Sequence, residues 1–90
     1  MAREKRADRI RRFEAMMERV QAAVAAGDDP ASVAEDASAL AAYYAGPLWK
    51  RDYAADERGA LPPDLKRGVL SQDGLYDLLA DYDRLTKEER

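Results

Sequence analysis

The stretch LPPDLKRGVLSQDGLYDLL, Leu61 to Leu79, decides how this chain is built. Two prolines, a basic pair and two glycines crowd together before an apolar helical rhythm begins. Such a stretch is either a site, where Lys66, Arg67 and free backbone N–H groups hold an anion, or a joint that turns the chain and starts a helix. The joint is the preferred reading, because each unusual residue has a local backbone task. Pro62-Pro63 forces an extended entry, and residues 63–67 can make one helical turn released by Gly68. Ser71 is a good N-cap, and Asp73 suits the positive end of the helix that follows. Leu70 and Leu75 then fall at the N′ and N4 positions of a hydrophobic staple. Leu75, Leu78, Leu79, Tyr82 and Leu85 continue as one core stripe.

Working back from the joint, Leu48 to Arg58 reads as a short helix closed by Gly59. Trp49 and Tyr53 sit one turn apart on it, and Lys50, Asp52, Asp56 and Glu57 are assigned to its wet side. Gly46-Pro47 ends the helix before it, which should run from Pro30 or Ala31 to Tyr44 or Ala45 with Asp29 as N-cap. Val33, Ala37, Leu40 and Tyr44 form its stripe. The first helix is long, about Ala2 to Ala26. Its stripe is Ile10, Phe13, Met17, Val20 and Val24, and Gly27 to Pro30 stops it. The two turns before Ile10 bring no matching apolar partner to the stripe, only Arg3, Lys5, Arg6 and Arg9, so that end is expected to project past the core.

The expected fold is all-α, with three to four helices in a single domain over residues 1–90. Residues 1–45 form a long N-terminal helical hairpin, packed on a compact C-terminal half over 46–90 with its Pro/Gly-rich joint at 59–71. Ninety residues rarely store more than about 3–5 kcal/mol in a core without help. The chain has no Cys, so disulfides are excluded, and no His, so imidazole zinc sites and Ser-His-Asp triads are excluded within one chain. A partner chain is the remaining helper. The first-helix stripe is longer than the second helix can cover, which points to a homo-oligomer.

Charge is unevenly placed. Residues 1–19 carry net +3, residues 20–49 net −4, residues 50–67 net +1 and residues 68–90 net −3. The whole chain, at −3, lacks the field of a nucleic-acid binder. Glu4, Asp8 and Glu14 interleave with the basic residues, with Glu4–Asp8–Arg12 and Glu14–Arg11 at helical spacing, so a salt-bridged exposed helix is preferred to a phosphate-binding one. No apolar run is long enough for a membrane span, and no apolar segment follows Met1-Ala2-Arg3. A cytoplasmic location is the expectation.

Residues Tyr43 to Leu79, YYAGPLWKRDYAADERGALPPDLKRGVLSQDGLYDLL, resemble the signature region of the bacterial domain of unknown function 4298 (DUF4298) family. That signature has a Tyr-Tyr helix, a Trp, an Asp-Glu-x-Gly-x-Leu-Pro element, then Asp-Leu-Lys-Arg-Gly-Val-Leu-Ser and an amphipathic helix. It maps onto Tyr43, Tyr44, Trp49, Asp52, Asp56, Glu57, Gly59, Leu61, Pro62 and Asp64 to Ser71, under half of the chain. The resemblance implies a small helical intracellular protein and carries over no activity, cofactor or catalytic residue.

The functional expectation is a non-enzymatic protein-interaction or self-association module, with no cofactor or metal. Trp49, Tyr53, Asp56, Lys66 and Arg67 are the candidate partner-binding residues, the aromatics offering a groove and the charges its polar contacts. The alternative is a nucleic-acid or anion-binding accessory protein using the basic first helix with Lys66 and Arg67. An enzyme comes third, resting on the Asp52–Asp56 carboxylate pair at i,i+4. A solvated helix face is the preferred reading of that pair.

Overall fold

The computed structural model describes residues 4–88. They form four α-helices: α1 (Arg6–Ala26), α2 (Ala34–Ala45), α3 (Pro47–Glu57) and α4 (Gln72–Glu88), with 3-10 turns at Pro30–Val33 and Gly68–Leu70. No strand occurs among the described residues, and the all-α expectation holds. α1 and α2 run antiparallel. Arg19 late in α1 reaches Asp36 early in α2 at 2.8 Å, and Phe13 stacks on Tyr43 near the other end with ring centroids 4.0 Å apart. α4 starts beside the middle of α1, where the Val69 N–H donates to Glu14 Oε1 at 2.8 Å. It ends its buried course at the α1–α2 corner, where the Tyr82 hydroxyl donates to the Pro30 carbonyl at 2.9 Å. α3 crosses the opposite end, where α1 begins and α2 finishes.

The core follows from the stripes. Ile10, Phe13, Met17, Val20 and Ala23 of α1 meet Ala37, Leu40 and Tyr43 of α2, with Leu75 and Leu78 of α4. Trp49, Leu65, Val69 and Leu70 close the end of the cluster. Each fully buried aliphatic side chain contributes about 1.5–3 kcal/mol. Two glycines meet a backbone need that other residues meet poorly. Gly27 (φ 71°) ends α1 with Asp28 N–H bonded back to the Ala23 carbonyl at 2.9 Å, and Gly59 (φ 70°) ends α3 with Ala60 N–H bonded back to Ala55 at 2.9 Å.

Several expectations need correction. α1 begins at Arg6 after Lys5, not at Ala2, and residues 1–3 lie outside the described residues. The second helix opens as a 3-10 turn, capped by Asp29 Oδ1 accepting from Ala31 N–H at 3.0 Å, and becomes α-helical only at Ala34. Tyr43 and Tyr44 follow Leu40 at i+3 and i+4; Tyr43 is the core residue and Tyr44 is half-buried against the core. α3 begins at Pro47, which needs no N–H donor in the first turn. Residues 63–67 do not form a helical turn; the 3-10 turn falls later, at Gly68–Leu70.

The first-helix stripe also needs no second chain. Ile10 is 0% exposed, Met17 3% and Phe13 8%, because α4 and the second 3-10 turn cover what α2 leaves open. The cap and staple residues of the joint stand as expected: Ser71 Oγ accepts from Gly74 N–H at 3.2 Å, and Leu70 and Leu75 are both buried. No described helix is long and apolar enough to cross a membrane.

Candidate partner-binding groove

Asp52 is the one buried charged residue among those described, at 0% exposed. The sequence assigns it to the wet side of α3, and the structure overturns that assignment. Arg9 of α1 grips it with two bonds, Nε to Oδ2 at 2.9 Å and Nη2 to Oδ1 at 2.6 Å. Arg6 Nε adds a bond to Oδ1 at 3.2 Å, and the Tyr43 hydroxyl of α2 donates to Oδ2 at 2.6 Å. The carboxylate therefore has a partner for each of its lone-pair directions, which is what makes a buried charge tolerable. Burial alone would push the Asp52 carboxyl up; the Arg9 and Tyr43 hydrogen bonds outweigh it and hold the carboxyl below the usual Asp range. Burial, followed by the bond to Asp52, raises the Tyr43 hydroxyl far above its ordinary value. The basic start of α1 thus does not project past the core. Its arginines return to a carboxylate 43 and 46 residues away.

This network forms one wall of an open groove of about 890 Å³ between the start of α1, the end of α2 and the start of α3. The floor is apolar: Phe13 and Tyr43, Ala39 and Ala42, then Pro47 and Leu48. Leu48 is 41% exposed, one of two large apolar side chains left in solvent among the described residues. The rim is basic, with Arg6, Arg9, Arg12 and Arg51 against the single acid Glu4. Arg12 lies over the Phe13 ring at 4.5 Å and is held by Glu4 through two bonds of 2.8 and 2.9 Å. Arg51 has no ion pair among the described residues. Arg6 and Arg12 keep N–H groups free of those bonds, because each guanidinium has five donors.

The candidate residues read from sequence lie elsewhere. Trp49 is buried, 7% exposed, with its indole N–H donating to the Val69 carbonyl at 3.0 Å. Tyr44 meets it edge-on and Tyr53 stacks on it, with centroids 5.0 and 5.1 Å away. Trp49 thus packs as core, and half-buried Tyr53 covers it. Asp56 and Arg67 come together at 2.8 Å, tying α3 to the joint. Lys66 goes the other way, towards Glu18 of α1 at 3.5 Å, in a smaller cleft of about 220 Å³. Lys66 and Arg67 therefore do not form one basic grip. Asp52 and Asp56 also part, one inward to Arg9 and one to Arg67, so the carboxylate pair does not converge on a common point. No cluster of metal-ligating side chains occurs among the described residues.

The groove residues were missed, but they left a trace. Arg6 stands four residues before Ile10 and seven before Phe13, and Arg9 four before Phe13, so both extend the core stripe of α1.

The profile of DUF4298, a domain of unknown function, matches residues 5–89. The likeness seen at Tyr43 to Leu79 therefore extends through α1 and α2 and includes the Gly27 to Pro30 corner. No curated protein and no solved structure matches the chain. With nearly its whole length matched, the chain belongs to the DUF4298 family.

Proposed function

We propose that this protein is a non-enzymatic interaction module that takes an acidic, amphipathic segment of a protein into the α1–α2–α3 groove. The observation that carries the reading is the pairing of exposed Leu48, above an aromatic and alanine floor, with a rim of four arginines against one acid. Apolar burial supplies affinity in such a groove, and guanidinium–carboxylate contacts set which segments enter. Catalysis has little to work with here. The nearby carboxylates Asp52 and Glu4 are both committed to arginines, and the chain has no Cys or His. The nucleic-acid alternative is less well supported, since the chain carries net −3 and the groove floor is apolar.

Selection from a displayed random-peptide library on the immobilised protein tests this reading. Acidic sequences with an aromatic or aliphatic anchor should be enriched, and Leu48→Asp should abolish the enrichment. Basic consensus sequences, or equal enrichment on the variant, would remove the proposal. Steeply salt-dependent binding of a random single-stranded RNA that is lost on Arg51→Glu would put the nucleic-acid alternative in its place.

A further inference from the structure

Among the described residues, two large apolar side chains are exposed: Leu48 in the groove, at 41%, and Tyr76 on α4, at 60%. Their surroundings are opposite in charge. Tyr76 has Asp73 at i−3 and Ala80 at i+4 on its helix face, both exposed, while exposed Asp77 follows it on the adjoining side of the helix. Neither Asp73 nor Asp77 enters an ion pair among the described residues. The face therefore offers one aromatic anchor beside the uncommitted carboxylate of Asp73, with that of Asp77 on the adjoining side. The groove offers an apolar floor below Arg51 and the spare donors of Arg6 and Arg12. No α4 residue lines the groove, so the two are separate surfaces.

The geometry points to a second copy of this chain as the groove's occupant, inserting the Tyr76 face of its α4. This rests on the groove reading above and names its ligand. The chain's charge layout agrees: residues 1–19 carry net +3, and residues 68–90 carry net −3. Aligned head to tail, the acidic end of one molecule meets the basic end of the next. Steering of this kind raises association rates and selects orientation. The contact is heterologous, with a groove on one molecule and a helix face on the other, so it closes only when the pairing is reciprocal or forms a ring. A standard interface takes about 800 Å² per partner, against a surface of 5988 Å² for the chain. One aromatic anchor on a two-turn face falls at the low end of that scale, where transient, concentration-dependent contacts lie.

Sedimentation of the full chain across about 1–500 μM, a range that spans weak association, tests the inference. Wild type should shift from monomer to higher mass, and less so at high salt. Leu48→Asp and Tyr76→Ser should each remain monomeric. Both positions are exposed, so both variants should keep the wild-type melting curve. Mixing the two variants supplies one intact groove and one intact face. An equimolar mixture should therefore form a heterodimer and nothing larger. A wild type that stays monomeric throughout, variants that associate like wild type, or a mixture no heavier than its parts would each overturn the inference. Peptide selection separates the two levels. If wild type is monomeric yet still enriches acidic peptides, the second-copy inference falls and the groove reading stands. If neither occurs, both fall.

Discussion

A single carboxylate sets the chemistry at the residue scale. Asp52 sits three residues after Trp49, on the same face of α3, and the helix buries both. Its burial was not legible because an isolated Asp on a charged helix is nearly always wet. What reverses the odds is Arg9, an element away in space and 43 residues away in sequence. Removing Asp52 leaves the Arg9 guanidinium, 12% exposed, without its counter-charge. Asp52→Ala should therefore cost about 3–5 kcal/mol in urea unfolding. Tyr43→Phe, which removes one bond to the charge, should cost about 1.5–3 kcal/mol. An Asp52→Ala protein as stable as wild type would mean that the network is decorative. Because the folded Asp52 carboxyl lies below the unfolded value of about 3.9, its contribution is complete above that pH. It fades as pH falls through the depressed folded value, so wild type should lose its advantage over Asp52→Asn in strong acid. Tyr43 has the opposite sign. Its hydroxyl is raised in the fold, so its contribution is complete below about pH 10 and lost above it. Tyr43→Phe should flatten the alkaline limb of the stability profile.

The joint from Leu61 to Leu79 governs the element scale, and here the sequence was more readable. Pro, Gly and Ser act on their own backbones, so their effects need no distant partner. Ser71, Leu70 and Leu75 stand where that logic puts them. Gly68 does something local reasoning could not supply. A Cβ at this position would lie 3.0 Å from Glu14 Oε2, so the glycine lets α1 and the 3-10 turn approach closely. Glu14 then satisfies the Val69 N–H, rather than pairing with Arg11 as its helical spacing suggests. Gly68→Ala should displace that carboxylate and cost about 1–3 kcal/mol, the penalty of an unmet buried donor. In a Glu14→Ala background the same change should cost little, and full additivity in the cycle would reject the coupling. Leu70→Ala should cost about 2–5 kcal/mol, and Ser71→Ala about 1 kcal/mol. The basic pair should split: Lys66→Glu is expected within about 0.5 kcal/mol of wild type as an exposed change, whereas Arg67→Glu breaks the tie to Asp56 and should melt measurably lower.

The whole molecule is held at its two ends by different devices. At the α1–α2 corner, the Tyr82 hydroxyl and the Pro30 carbonyl tie α4 to the turn. At the other end, Asp52 draws together residues from three helices: Arg6 and Arg9 of α1, Tyr43 of α2 and its own place on α3. Helix number and order were legible because the apolar stripes repeat at helical spacing. The end network was not, since nothing in a stripe says which charges will be buried. A chain this small, clamped in this way, should unfold as one unit. Trp49 is a sensitive reporter of the clamped end, because its indole N–H is bonded to Val69 and its ring lies between Tyr44 and Tyr53. Its emission in the native protein should be blue-shifted and resist iodide quenching. Its urea transition should coincide with loss of helical circular dichroism, which reports mainly on α1, α2 and α4. In Asp52→Ala the clamp is gone and the Tyr43 hydroxyl loses its acceptor, while the apolar side chains of the α1, α2 and α4 core stripes are unchanged. The two curves should then separate, with Trp49 exposed at lower urea than the bulk of the helix is lost. Curves that still coincide in the variant would show that apolar packing alone couples α3 to the bundle, leaving Asp52 a contribution to stability but none to cooperativity.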